Sequence, residues 1–315
     1  MRKSFYQFMR EKSLRYYTEC EDIGKDFFTS PELDSIFGHA IGELIFKLIG
    51  DYKNPTILEL GAGRGTLAYD ILSFLKTNHP SFFERIRYLI YDFSPKLRER
   101  QRQVLKVFED KVGWVDELPS FSGLVLSNEF FDCFPVRLVK DETELYLEDG
   151  KEVWLPLRDE RVKQYMTRLN LRNPGVVYEI CLDCVDFLER LSKSLKKGFI
   201  LTIDYGYLEP PALGTVMGYK GHRLVKNLYS EEVFDITAGV NFRALMEYGK
   251  DFGLEVVFFK NQRDFLLFSE VFKRELERLT ERQDPESIER LSRIKTMLIS
   301  MGERFKVLLQ RKCSA

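Results

Sequence analysis

Apolar and polar positions along the chain switch between two periods. Between residues 31 and 49, Leu33, Ile36, Phe37, Ala40, Ile41, Leu44, Ile45 and Leu48 recur at helical spacing and give one apolar face. The preceding TSPE offers Thr29 or Ser30 as N-cap, with Pro31 tolerated in the first turn. TILEL (56–60) then reads as a strand, followed by glycines and a helix with Ala68, Ile71, Leu72 and Leu75 on one side. RYLIYDF (87–93) is a second strand. It runs into a helix capped by Ser94, with Leu97, Val104, Leu105 and Phe108 as its buried stripe. A short strand near Val112–Val115 and the fully apolar GLVLSN (123–128) continue the alternation. Strands that alternate with helices imply a mostly parallel sheet covered on both faces.

The alternation pauses at 137–175, where RLVKDETELYLEDGKEVWLPL predicts a β-hairpin turning at Asp149-Gly150. It resumes with a helix at 183–195 and a strand at 198–206. A loop-rich stretch (207–229) precedes a helix over about 239–252, and LEVVFFKN and DFLLFS read as two neighbouring strands. The last part of the chain predicts amphipathic helix, broken near Asp284-Pro285. These boundaries suggest a helical lead-in (1–50), an α/β domain (51–268) with the insertion at about 137–175, and a helical extension (269–315).

Composition narrows the function. Lys plus Arg number 48 against 49 Asp plus Glu, a net charge of −1, which gives no electrostatic footprint for nucleic acid. No apolar run approaches the roughly 20 residues needed to span a bilayer. The start, MRKSFYQFMREKS, lacks an apolar signal segment, and Glu11 and Glu19 argue against a transit peptide, so the expected location is the cytoplasm. Five scattered cysteines make no disulfide framework. Cys181 and Cys184 form a lone CxxC, read as two small core-facing thiols on a helix, and no metal is expected.

The loop between the first strand and its helix, ELGAGRG (59–65), decides among nucleotides. The NAD fingerprint G-x-G-x-x-G fails because position 66 is threonine, and no Gly-Lys-Ser/Thr follows for a phosphate loop. What remains, Glu59 followed by Gly61, Gly63 and Gly65, is similar to motif I of class I S-adenosylmethionine (SAM) methyltransferases. That ligand has no phosphates but carries a sulfonium and an ammonium, so nearby carboxylates help where they would repel a pyrophosphate. Asp92, ending the second strand, can accept hydrogen bonds from both ribose hydroxyls, and Asp116, after the third, can meet the adenine edge. Arg64 either pairs with the ligand carboxylate or braces Glu59.

In open parallel sheets ligands sit beyond the carboxyl ends of the strands, near the switch point. The fourth strand ends there in SNEFFDCFPV (127–136). Asn128 and Glu129 emerge where a methyl donor would point. Phe130, Phe131 and Asp132 follow, as an acceptor-binding loop or as a polar turn with an apolar plug.

The chain resembles the MidA-like methyltransferase family, which includes a mitochondrial complex I assembly factor that methylates a protein arginine. The resemblance rests on DFFTSPELDSIFG (26–38), ELGAGRGTL (59–67), SPKLRERQ (94–101), NEFFDCFPV (128–136), IDYG (203–206), GHR (221–223), DITAGVNF (235–242) and ERFKVL (303–308). Lys25, Ala62 and Gly239 depart from the usual glycine, proline and histidine.

The resemblance implies a seven-stranded Rossmann-like sheet and SAM-dependent methylation of an arginine on a respiratory NADH dehydrogenase subunit. Glu129 would act as the carboxylate that orients the guanidinium, with Asn128 and Asp132 shaping its pocket. Asp26 and Thr29 would fold over the cofactor, although a plain helix cap explains Thr29 equally well; His222 and Arg223, in the glycine-flanked loop GYKGHR, either contact substrate or form an ordinary surface turn. The competing readings are a SAM-binding assembly chaperone without essential catalysis and a small-molecule methyltransferase. An NAD oxidoreductase is the weakest alternative.

Overall fold

The alternation in the sequence becomes a seven-stranded sheet in the computed structural model, which describes residues 2–19, 29–221, 223–282 and 284–312. The strands are β1 (Thr56–Leu60), β2 (Arg87–Tyr91), β3 (Val112–Val115), β4 (Phe121–Asn128), β5 (Leu195–Tyr207), β6 (Leu254–Asn261) and β7 (Phe305–Lys312). Their order is β3-β2-β1-β4-β5-β7-β6, with β1 to β5 parallel and β7 antiparallel to both neighbours. The strand order reverses between β1 and β4, so the carboxyl ends of these two strands flank the crevice of the fold.

The sheet belongs to one of two units into which the contacts divide the chain. The sheet unit comprises 28–129, 191–205 and 253–315, and the insertion unit comprises 1–27, 130–190 and 206–252. In the sheet unit every residue of β1 is buried, the expected consequence of helices on both faces. The helix expected over 31–49 is broken into α1 (Ser30–Leu33) and α2 (Ile36–Ile49). Asp34 makes the break: its Oδ1 accepts the Ile36 N–H (3.1 Å), and Arg290 donates to both its oxygens at 2.9 and 2.8 Å. α3 (Thr66–Asn78) follows the glycine loop, and α4 (Pro95–Val104) is capped by Ser94 as its sequence predicts.

The end of the chain differs from expectation. DFLLFS is not a strand; it lies in α5 (Gln262–Phe268) and the residue that follows. A short apolar run has no period that separates strand from buried helix. After α6 (Glu270–Glu281) and α7 (Pro285–Lys295) the chain returns as β7, which inserts between β5 and β6. The tail is therefore not helical throughout.

In the insertion unit the predicted hairpin forms between 143–148 and 151–156, with Asp149 and Gly150 at φ 49° and 77° in its turn. It joins strands 2–4, 137–140 and 178–180 in a five-stranded antiparallel sheet. Phe5, Phe8 and Met9 of the first helix pack beside Val136, Leu145, Leu147, Phe234 and Ile236 in one core cluster. Cys181 and Cys184 are joined as a disulfide at the start of helix 182–194, where two free thiols were expected. Cys20 and Cys313 lie outside the described residues.

Candidate active site

β1 delivers the glycine loop. Gly61, Gly63 and Gly65 have φ of 62°, 52° and 88°, the left-handed region that glycine enters without steric cost. The Gly61 N–H donates to Tyr91 O (2.9 Å) and the Gly65 N–H to Ala62 O (2.8 Å), which fixes the turn against β2. A side chain built on Gly63 would meet nothing within 4 Å, so the loop faces open space there.

Asp92, just beyond β2, is buried. Its Oδ1 accepts the Ser94 N–H (2.9 Å) and its Oδ2 accepts Gln101 Nε2 (2.8 Å). The same Gln101 nitrogen donates to Gly63 O (2.9 Å), while Gln101 Oε1 accepts the Trp114 indole N–H (2.9 Å). One glutamine of α4 thus ties the glycine loop, β2 and β3 together. Each Asp92 oxygen retains a second lone pair. Burial pushes the Asp92 pKa up, against the hydrogen bonds from Ser94 and Gln101 and the charge of Arg98. Arg98 donates to Val115 O (2.9 Å) and pairs with Asp116 (2.8 Å), whose side chain is 86% exposed at the end of β3.

Glu59 points into the protein. It is 2% exposed, and Tyr88 donates its hydroxyl to Glu59 Oε2 at 2.8 Å. Burial, with the Asp92 charge adding to it and the Tyr88 bond opposing it, raises the Glu59 pKa to about 7. Arg64 does not brace Glu59: its ion pair is with Glu32 (3.5 Å), and its Nε and Nη2 are buried without hydrogen-bond acceptors.

β4 ends in Asn128 and Glu129. Glu129 has φ 51°, a conformation that costs a non-glycine residue of order 1–3 kcal/mol and persists only where the surroundings impose it. Its N–H donates to Ile203 O of β5 (2.9 Å), and its Oε1 accepts Asn128 Nδ2 (3.2 Å). Asn128 Oδ1 is buried with no donor.

The boundary between units falls after Glu129, so the following residues are described within the insertion unit. Phe130, Phe131, Phe134 and Phe187 form an aromatic cluster with centroid separations of 5.4 to 6.2 Å, and Phe131 is 2% exposed. Asp132 is buried, its carbonyl accepting the Ala238 N–H (2.9 Å) and its Oδ1 accepting Cys133 Sγ (3.3 Å). Arg223 is exposed on a short hairpin paired with Lys220. In the sheet unit, Thr29 stands at the N-cap of α1, but its hydroxyl makes no cap bond. Asp26 and His222 lie outside the described residues.

Gln101, Tyr88 and Trp114 were not singled out by sequence. Gln101 ends the SPKLRERQ block, but nothing in its spacing shows that an amide on α4 reaches a glycine on the first loop.

The unmet groups of the sheet unit suit a zwitterionic ligand with a ribose. Arg64 offers buried donors for a carboxylate, Asn128 Oδ1 an acceptor for an ammonium, and Asp92 spare lone pairs for hydroxyls. The open space at Gly63 leaves room for it. A pyrophosphate would meet two carboxylates instead.

A sequence model of the MidA-like S-adenosyl-L-methionine-dependent methyltransferases matches residues 41–260. The chain belongs to that family. This methyltransferase is 29% identical to "Protein arginine methyltransferase NDUFAF7, mitochondrial" of Mus musculus, over 92% of its own chain and 76% of the relative's. It is 26% identical to the Danio rerio protein of that name, over 96% and 82%. A crystal structure of a COG1565 superfamily member from Burkholderia thailandensis, bound to S-adenosyl-homocysteine, superposes with a TM-score of 0.82. It is 27% identical and covers 100% of this chain and 89% of that one. The fold is the class I, Rossmann-like one, and the methyltransferase uses SAM as its cofactor. The cytoplasmic location expected from the start of the chain is corrected by these relatives, which are named as mitochondrial proteins. Among the described residues, no helix is long and apolar enough to cross a membrane.

Proposed function

We propose that this methyltransferase methylates an arginine side chain of a protein partner, a subunit of respiratory NADH dehydrogenase, and thereby supports assembly of that complex. The observation that carries the reading is Glu129, an acidic side chain in a left-handed conformation at the end of β4, hydrogen-bonded to Asn128. The relatives named as protein arginine methyltransferases support the choice of acceptor.

In this reading Arg64 holds the cofactor carboxylate, Asn128 Oδ1 its ammonium, Asp92 its ribose and Asp116 its adenine edge. Glu59 contributes negative charge behind the glycine loop. Thr29, at the N-cap of α1, completes the cofactor site. When bound, the cofactor supplies an electrophilic methyl group on a sulfonium. A guanidinium stays protonated in water, so its nitrogens are poor nucleophiles. Glu129 accepts hydrogen bonds from the guanidinium, draws its positive charge away from the attacking nitrogen and takes the proton that nitrogen sheds. A charge pair at 4 Å and an effective dielectric near 20 is worth about 4 kcal/mol before desolvation. Holding the nitrogen in line is most of what methyl transfer requires. Within the insertion unit, Asp132, Phe130 and Phe131 hold the continuation of this loop in shape, and His222 and Arg223 contact the partner.

The test is Glu129→Gln. SAM affinity by calorimetry stays within about twofold, while methyl transfer to purified NADH dehydrogenase subunits falls by roughly 10²-fold or more. Unchanged turnover would sink the assignment of Glu129. Mass spectrometry of those subunits from cells with and without the protein tests the acceptor. Identical arginine modification in both would overturn it, and unimpaired assembly with the variant would favour a holding role.

A further inference from the structure

The Cys181–Cys184 disulfide spans a sequence separation of 3 at the start of helix 182–194, inside the insertion unit. In the chain-entropy account a cross-link restricts the unfolded chain less the shorter the loop it closes, so this one adds little as a staple. Its two sulfurs differ in access. Cys181 is partly exposed, whereas Cys184 is 6% exposed.

Cys181 directly precedes the helix, in the N-cap position, and its Sγ accepts the Cys184 N–H (3.1 Å). That bond and the positive end of the helix dipole both favour a thiolate at Cys181 once the disulfide is opened. Asp183, the acid between the two cysteines, accepts the Tyr6 hydroxyl (2.9 Å), which offsets part of its opposing charge. The buried sulfur is provided for as well. Phe131 O lies 3.7 Å from Cys184 Sγ, an acceptor in place for the hydrogen that reduction adds. Each sulfur of the dithiol form thus has a partner where it already stands, and opening the bond strands neither.

We propose that Cys181 and Cys184 form a reversible thiol–disulfide exchange site, opened and closed by a dithiol protein, with Cys181 as the sulfur attacked and Cys184 as the one that leaves. A thiolate of the dithiol protein attacks Cys181 Sγ, the S–S bond breaks, and Cys184 departs as a thiolate that takes a proton from water. The second thiol of the dithiol protein gives its proton to water, attacks the mixed disulfide and releases Cys181 as a thiolate. Two electrons pass to the pair and the dithiol protein leaves as a disulfide; the reverse sequence closes Cys181–Cys184 again.

The experiment equilibrates the full chain in mixtures of reduced and oxidised dithiothreitol, and separately with reduced thioredoxin as the dithiol protein, then quenches in acid and alkylates. Mass spectrometry of the tryptic peptide 173–190, which holds both cysteines, counts its labels. The peptide carries either none or two, the ratio follows the mixture in both directions, and the circular dichroism of the two forms superposes. In native alkylation with iodoacetamide, Cys181 of the Cys184→Ser variant reacts roughly tenfold faster than Cys184 of the Cys181→Ser variant, as access and thiolate character require. A disulfide that resists dithiothreitol until urea unfolds the chain is a structural staple and overturns the proposal. So does a pair that stays as two thiols in oxidised dithiothreitol, a disulfide that thioredoxin leaves closed, or a Cys184 that reacts as fast as Cys181.

Discussion

Replacing Glu59 with glutamine separates what this carboxyl does to the fold from what it does for the cofactor. The group is 2% exposed, and Tyr88 donates its hydroxyl to it. Burial raises its pKa from 4.5 to about 7. Because the folded value lies above the unfolded one, folding favours the neutral carboxyl. Its contribution is complete below pH 4.5 and is lost as pH rises through about 7. At 1.36 kcal/mol per pH unit the gap amounts to about 3 kcal/mol. Glutamine is neutral at every pH and keeps an acceptor for the Tyr88 hydroxyl. Glu59→Gln should therefore match the wild type near pH 4.5, gain on it between there and pH 7, and exceed it by about 3 kcal/mol at pH 8.5. Urea unfolding at pH 5, 6.5 and 8.5, taken as the difference between variant and wild type, cancels every other titrating group. A difference that stays flat with pH refutes the argument, as does a variant less stable at pH 8.5. The same substitution should weaken SAM binding roughly tenfold, the loss of one charge-assisted attraction. A gain in stability together with a loss of SAM affinity would support the cofactor role proposed for Glu59.

Two further substitutions probe the supports of the site. Gly63→Ala should cost the free protein only about 1–2 kcal/mol, the penalty of a left-handed alanine, because its Cβ meets no neighbour. Calorimetry should show a loss of SAM affinity larger than that stability change, since the methyl occupies space at the cofactor loop; equal affinity would place the ligand elsewhere. Arg290→Ala strands Asp34, whose side chain is 3% exposed, and should destabilise the sheet unit by about 3 kcal/mol in urea unfolding at pH 7. A cost below about 0.5 kcal/mol would mean that Arg293, 3.8 Å from Asp34, takes over the pair.

Sequence determined what depends on neighbours along the chain. A run of buried apolar residues feeding three glycines is a strand and a tight turn wherever it occurs, because only glycine reaches these φ values cheaply, and all three glycines adopt them. Ser94 caps its helix and Asp149-Gly150 turns its hairpin for equally local reasons. The carboxylates at the strand ends were legible because a parallel sheet puts successive strand ends at one edge. Tertiary structure alone decided what depends on residues far apart in the chain. Gln101 can join Gly63 to Asp92 only once α4 lies against the glycine loop, and Asp34 breaks its helix because Arg290 arrives from α7. The last strand pairs with β5 and β6 although the helices α5 to α7 separate it from β6. Its apolar run is short, and such a run takes its conformation from the open hydrogen-bonding edges it meets, which no local pattern records.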